Sequence, residues 1–206
     1  MKLKSFLALL CVASLSFASC QTKTKPVVDA DALLADIKEL SSDAYEGRGF
    51  TTQGNHKAQQ YIAKRFKEIG LALYLTSGYI QEFEAPSQFG PLKTESDRKD
   101  GKLTGGNVVA KIEGQTNKSI IITGHHDHLG IRDGKIYNGA DDDASGAAAL
   151  IAIAAYFKSK NPKHTLIFAS VDAEEAGMHG SEYFVVNHPD AEKNIVLNIN
   201  MDMIAQ

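Results

Sequence analysis

The stretch Ser119-Ile120-Ile121-Ile122-Thr123-Gly124-His125-His126-Asp127-His128-Leu129-Gly130 changes character at its midpoint. Up to Thr123 it is dominated by β-branched residues, the composition of a strand buried on both faces. After Gly124 come three histidines and an aspartate. Where helices cover a sheet of parallel strands, ligands bind beyond the carboxyl ends of those strands. Polar residues placed directly after an apolar strand are therefore the ones that can carry chemistry.

The same change recurs downstream. His164 to Val171 is an apolar strand running into Asp172-Ala173-Glu174-Glu175-Ala176-Gly177, and the strand beginning at Ile195 runs into Asp202. Between them, Asn138-Gly139-Ala140-Asp141-Asp142-Asp143-Ala144-Ser145-Gly146 leads into a helix spanning Ala144 to Phe157, apolar nearly all round and hence buried. Upstream, Leu33, Leu34, Ile37 and Leu40 mark a helix from Val28 to Leu40, followed by a polar, Gly-rich loop from Ser41 to Gln53. A second amphipathic helix begins at Asn55 and stops at Gly70. Tyr74 to Phe83 has a partial strand pattern, Pro86 to Gly106 reads as a charged surface loop, and Asn107 to Ile112 is a strand. Arg132-Asp133-Gly134-Lys135 forms a hairpin turn, and Ser181 to Val186 a short helix. Helices alternating with apolar strands predict an α/β fold: a mainly parallel, doubly wound mixed sheet with helices on both faces and an antiparallel hairpin at its start.

Composition narrows the function classes. Of 206 residues, 43% are hydrophobic and 23% charged, the proportions of an ordinary globular domain. With 22 basic against 25 acidic residues the chain lacks the basic face that neutralises phosphates, so a nucleic-acid partner is excluded. Lys2 and Lys4 precede an apolar run from Phe6 to Phe17, too short to span a bilayer and read as an export signal. Two cleavage readings compete. Ser16-Phe17-Ala18 fits an ordinary signal peptide, and Ala18-Ser19-Cys20 fits a bacterial lipoprotein signal with acylated Cys20 as the new N-terminus. The lipoprotein reading is favoured, because Cys20 is the only cysteine left after cleavage and a polar tether follows it. The expected organisation is a signal over 1–19, a tether over 20–28 and one domain over 29–206. Without the signal the chain carries 20 basic and 25 acidic residues. Membrane attachment would then rest on acyl chains at Cys20 rather than on charge. The expected location is the periplasm or the surface of a bacterium.

Each acidic cluster has an ordinary explanation: aspartates before a helix cap it, and paired glutamates in a loop are solvated. Four such clusters brought to one edge of a sheet would repel one another unless cations sat among them. Imidazole and carboxylate ligands together suit zinc, and several carboxylates suit a pair of metals sharing a bridging group.

Four segments carry a resemblance: Gly124-His125-x-Asp127-His128-Leu129-Gly130, Gly139-Ala140-Asp141-Asp142-x-Ala144-Ser145-Gly146, Asp172-Ala173-Glu174-Glu175-x-Gly177 and Asn200-x-Asp202-Met203. In order and placement they resemble the signatures of the di-zinc aminopeptidases, a family related to glutaminyl cyclases and transferrin-receptor-like proteins. Leu40 to Gly49 resembles an N-terminal segment of bacterial members. The resemblance implies that His125, Asp142 and Asp202 hold one zinc, with Asp142 bridging to a second held also by Glu175. It implies that Asp127 orients His125, that Asp143 shapes a strained turn, and that Glu174 is the general base. The implied substrate is a peptide with a free N-terminus, hydrolysed at its first bond. His126, His128 and His179 receive no role, surface or supporting positions being expected for them.

The resemblance also implies a further histidine ligand some tens of residues after Asp202, where only Met203-Ile204-Ala205-Gln206 follow. The expectation is a fragment with one better-formed metal site and weak or no activity of its own. The alternatives are a non-catalytic metal- or peptide-binding surface lipoprotein and, more weakly, a glutaminyl cyclase-like acyltransferase with one zinc.

Overall fold

The computed structural model describes residues 27–86, 102–189 and 194–205. The export signal, Cys20, most of the tether and the charged stretch 93–100 lie outside the described residues.

Helix α1 (Ala30–Leu40) starts where the Asp29 carboxylate accepts from the Asp31 and Ala32 amides, each at 3.1 Å. A short 3₁₀ segment, kinked at Glu46 and Gly47, follows at Asp43–Arg48, inside the expected loop. Helix α2 (Gln53–Ile69) is capped by the Thr52 hydroxyl at its start and by Gly70 in the left-handed conformation at its end. Then come β1 (Ala72–Leu73), β2 (Ile80–Pro86), β3 (Lys102–Ile112), β4 (Ser119–His125) and the hairpin β5 (Gly130–Arg132) and β6 (Lys135–Tyr137). Helix α3 (Gly146–Lys158), β7 (Thr165–Val171), α4 (His179–Asn187) and β8 (Ile195–Asn200) complete the order.

The main sheet has six strands in the order β1-β3-β7-β4-β8, with β2 also pairing β3. β4 runs parallel to both β7 and β8, whereas β3 is antiparallel to β1, β2 and β7. The sheet is thus mixed, its parallel block confined to β7-β4-β8 and its antiparallel part wider than the single hairpin expected. Strand β3 begins at Lys102 because it pairs with β2 from Pro86↔Lys102 onward, so the end of the expected loop is strand.

Period-two alternation divides the core between the two faces. Val108, Ala110, Ile112, Ile122, Leu166 and Phe168 pack with Leu40, Ile62, Phe66, Leu150 and Ile151 of α1, α2 and α3. Their alternates Val109, Ile121, Ile167, Ala169 and Val171 pack with Phe184 of α4 and Tyr74. β4 is buried almost throughout, while β8 lies at the edge with Val196, Leu197 and Ile199 exposed. No helix among the described residues is long and apolar enough to cross a membrane. The consequence for function is topological. The carboxyl ends of β4, β7 and β8 emerge side by side, next to the turn that enters α3.

Candidate metal centre

His125 is the last residue of β4 and is buried. Its Nδ1 lies 3.0 Å from the main-chain carbonyl of Asp127, which can only accept, so the proton sits on Nδ1. Nε2 is then the ring atom presented to the site, facing Asp142 Oδ1 at 3.2 Å and Asp202 Oδ1 at 3.8 Å. Those three side chains form one group of potential ligands.

Asp127 does more than the orienting role the resemblance implies, and does that part differently. It fixes the His125 ring through its main chain, its carboxylate standing 3.4 Å from Nδ1. That carboxylate is fully buried and accepts from the Glu174 amide at 3.0 Å and the Glu175 amide at 3.1 Å. One side chain at the end of β4 thus holds the backbone of the two glutamates that follow β7.

The turn Ala140–Ser145 contains a cis Asp142-Asp143 peptide bond. Buried Asp143 draws the site together, accepting from the amides of His125 (3.1 Å), Gly146 (2.9 Å) and Met203 (3.3 Å). A β-carbon at Gly146 would stand 2.4 Å from Asp143 Oδ2, so glycine alone leaves room for this carboxylate. Asp142, next to it, presents Oδ1 to His125 and Oδ2 to His128 at 3.7 Å. His128 in turn approaches Glu175 Oε1 at 2.9 Å, and His128, Asp142 and Glu175 form a second group of potential ligands. All six residues expected at the site are therefore gathered at the three strand ends and the α3 turn. His128 joins them, contrary to the supporting or surface place expected for it.

Two further residues support the site in ways the sequence does not assign. Arg48 is fully buried and its guanidinium donates to the carbonyls of His126 (2.8 Å), Leu40 (2.6 Å), Asn138 (2.6 Å) and Gly139 (2.7 Å). It pins the β4 end to the loop that carries Asp142. The sign in the sequence is its place in the Leu40–Gly49 segment that resembles bacterial members of the family. His126 is also buried, its Nδ1 3.1 Å from the Ser170 hydroxyl, and burial lowers its pKa to about 4.

The electrostatics follow from burial and crowding of carboxylates. Burial raises the Asp143 pKa to about 7, with His125 and three amides opposing. Burial also raises Glu174 and Glu175; neighbouring carboxylates push the same way and His125 opposes. For His125 burial acts downward but is outweighed by Asp127, Asp143 and Glu174, and the pKa rises to about 10. Burial lowers Arg48 to about 10 against the pull of Asp127, Asp143 and Asp142. In the metal-free protein, a proton on His125 stands where a cation would be favoured.

These donors suit zinc. Imidazole nitrogens and carboxylate oxygens are its ligands, and neighbouring ligands of a tetrahedral ion bonded at about 2.0–2.1 Å stand about 3.3 Å apart. The imidazole–carboxylate separations in the two groups run from 2.9 to 3.8 Å, and all donor atoms of a group lie within 4.8 Å of one another.

Comparison with known proteins agrees with this geometry. Residues 107–206 match the model of Peptidase family M28. A probable zinc metalloprotease of Pyricularia oryzae is 30% identical over 159 residues, 74% of this chain and 30% of that protein. Leucine aminopeptidase 1 of Ajellomyces capsulatus is 24% identical over 169 residues, 78% of this chain and 40% of that protein. Among solved structures, a Zn-dependent exopeptidase from Parabacteroides distasonis superposes with a TM-score of 0.65 at 21% identity, over 87% of this chain and 63% of that one. A Porphyromonas gingivalis glutaminyl cyclase gives 0.65 at 20% identity, over 87% and 61%. The chain thus spans less than half the length of these two curated relatives.

Proposed function

The chain carries a Peptidase family M28 domain over residues 107–206, and from that premise we propose that it belongs to a zinc-dependent aminopeptidase acting on peptides with a free N-terminus. The observation that carries this reading is the shared carboxylate. Asp142 offers one oxygen to His125 and the other to His128, so two groups of donors meet in one bridging residue. His125, Asp142 and Asp202 would hold one zinc, and Asp142 and Glu175 the second. When bound, zinc supplies a Lewis acid that polarises the scissile carbonyl and eases proton loss from water.

The remaining chemistry belongs to the side chains. Glu174 takes the proton of the attacking water and returns it to the leaving amine. Burial has made it a stronger base than a solvated glutamate, as this work requires. Asp127 keeps Glu174 and Glu175 in fixed relation by accepting from both amides. Adjacent residues project differently, so Glu175 serves as a ligand while Glu174 faces the water. The Asp127 carbonyl holds the His125 ring with Nε2 toward the site.

A glutaminyl cyclase-like acyl transfer is the second reading, favoured by the superposition on that enzyme. The two donor groups and the doubled glutamate fit a two-metal hydrolase better than a single-zinc site. Assaying aminoacyl anilides beside a Gln-initiated peptide separates the two. Zinc-dependent release of amino acid, abolished in Glu174→Ala, supports the peptidase. Cyclisation without hydrolysis overturns it. We also propose export as a lipoprotein acylated on Cys20. Cys20→Ala should move the protein from the membrane to the soluble fraction, and unchanged fractionation would refute the anchor.

A further inference from the structure

We propose that the end of the domain opposite the metal centre is a docking surface for anionic phospholipid, carried by Lys118, Lys158, Lys160 and Lys163. The inference is independent of the zinc reading and adds a charged contact to the acyl anchor at Cys20.

The parallel strands place these lysines together. β4 and β7 start side by side, Ser119 beside Thr165, so Lys118 and Lys163 stand just before neighbouring strands. The loops leading into the two strands are joined: the Thr116 amide donates to the Lys163 carbonyl at 3.1 Å, and the Thr165 amide to the Lys118 carbonyl at 2.9 Å. The loop into β7 follows Lys158, the last residue of α3, and contains Lys160. Lys158 Nζ donates to the Gly70 carbonyl at the end of α2, and Lys160 Nζ lies 4.9 Å from the centre of the Tyr156 ring. All four lysines are exposed. Among the described residues none of them is in an ion pair, whereas Glu68 is paired with Lys64 and Arg65, and Glu113 with Lys111.

Net charge conceals this face. The 20 basic and 25 acidic residues of the signal-free chain predict no basic surface, yet the fold sorts them. Carboxylates collect beyond the carboxyl ends of β4, β7 and β8, and lysines collect at the amino ends of β4 and β7. Asp29 and Asp31 border the basic end at the start of α1, where the Asp29 carboxylate is occupied by two amides of its own helix. Charges act on a lipid surface only within a Debye length of about 8–10 Å, so headgroup phosphates meeting this end feel the lysines and not the distant carboxylates.

The chain enters the domain at the same end. α1 runs antiparallel to α3: the Leu40 carbonyl at its close accepts from Arg48 beside the metal centre, while Val27 and Val28 before its start share a cavity with Ala155 and Tyr156 in the last turns of α3. Seven residues separate Val27 from Cys20, a reach of at most about 25 Å. Acyl chains on Cys20 would therefore bring the lysine end to the bilayer, which is what selects phospholipid over another polyanion. The metal centre then opens away from the membrane, toward soluble peptides.

The exported, signal-free chain is prepared with Cys20→Ala, so that charge is read without acyl groups, and mixed with vesicles of phosphatidylglycerol or of phosphatidylcholine. Sedimentation should show binding to phosphatidylglycerol alone, weakening as salt shortens the Debye length. One lysine beside an anionic surface contributes about fivefold to binding, so Lys118→Gln/Lys160→Gln/Lys163→Gln should weaken it by about 100-fold. Lys57→Gln/Arg132→Gln/Lys135→Gln removes the same charge from exposed positions on α2 and the β5–β6 hairpin, and should change binding by less than about twofold. Unaltered thermal melts show that both variants are folded. Equal binding to the two lipids, no binding, or an equal loss in the two variants overturns the proposal, even where Cys20 anchors the protein. Tighter binding to a DNA duplex than to vesicles at equal phosphate concentration would make the face a nucleic-acid surface and overturns it too. None of these outcomes bears on the zinc reading.

Discussion

Replacing Asp127 by Asn tests how the site is held together, because the change removes a charge and one acceptor while keeping shape. The carboxylate is fully buried and accepts one amide on each oxygen, Glu174 at 3.0 Å and Glu175 at 3.1 Å. An asparagine has one oxygen, so in either orientation its NH₂ faces one of these N–H groups. That donor is left buried without a partner, which costs about 1–3 kcal/mol. The other bond falls from charge-assisted to ordinary strength, a further loss of about 1 kcal/mol. The sum is about 2–4 kcal/mol, a large part of a domain's stability of about 5–15 kcal/mol. Urea unfolding of the metal-free protein reads this as a lower midpoint at unchanged slope. The His125 ring is held by the Asp127 main chain, which the substitution leaves in place. A fall in zinc affinity of about 10–100-fold is expected, through the displaced glutamates and through the charge lost 3.4 Å from His125 Nδ1. A variant within about 0.5 kcal/mol of wild type and with unaltered zinc affinity would refute the reasoning.

Arg48→Met should destabilise by about 3–5 kcal/mol in urea, since it leaves buried carbonyls and Asp127 without their cation; a loss below about 1 kcal/mol would contradict the role assigned to Arg48. Stability of the metal-free fold should fall between pH 7 and 10. His125, raised from 6.5 to about 10, contributes fully below 6.5 and loses that contribution as pH rises through 10. A flat profile in chemical denaturation over that window would count against the crowding of carboxylates described here. His126 works in the opposite sense: lowered to about 4 by burial, it contributes above 6.5 and loses its contribution as pH falls through 4. His126→Asn should therefore unfold at a lower pH than wild type, and an unmoved acid midpoint by circular dichroism would refute this. Zinc binding at pH 7 should release a proton from His125, seen as buffer-dependent heat in calorimetry; equal heats in all buffers would exclude the protonated metal-free state.

Where local pattern decides structure, the sequence was a good guide. The apolar runs before His125, Asp172 and Asp202 are strands β4, β7 and β8, and the turn at 132–135 joins β5 to β6. Gly70 stops α2 by adopting the left-handed conformation. Pairing between distant segments was harder to read. β3 begins at Lys102 because β2 supplies a partner, something the polar stretch before Asn107 does not announce. The antiparallel β3–β7 contact is likewise invisible to period-two patterning, which shows that a strand is buried but not which way its neighbour runs. At the site the residue types were legible because several carboxylates at strand ends need cations. Their supports were not. Arg48 reaches the carbonyls of residues 78 to 91 positions away, and no spacing rule connects them. The double use of Asp127, main chain to His125 and carboxylate to Glu174 and Glu175, depends on loop geometry that exists only after β4 and β7 have paired.

The buried aspartates explain why metal and fold should be coupled. Asp127, Asp143 and Asp172 are each almost wholly inaccessible, and none belongs to either group of potential ligands. Each accepts amides from other elements: Asp127 from the loop after β7, Asp143 from His125, Gly146 and Met203, Asp172 from Gly106 and from the side chains of Asn55 and Gln59. Together they tie β3, β4, β7, α2 and the segment after β8 around one point. Burial raises both Asp143 and Asp172, so this frame is held against a desolvation penalty that Arg48 and the amide dipoles offset only in part. Cations at the two donor groups would supply the missing positive charge. Whatever binds the folded state alone stabilises it by RT ln(1 + [L]/Kd), about 2.7 kcal/mol at a hundredfold excess over Kd. Chelation should therefore lower the melting temperature of the whole domain rather than loosen one loop, because the carboxylates left facing one another anchor every strand that carries the site.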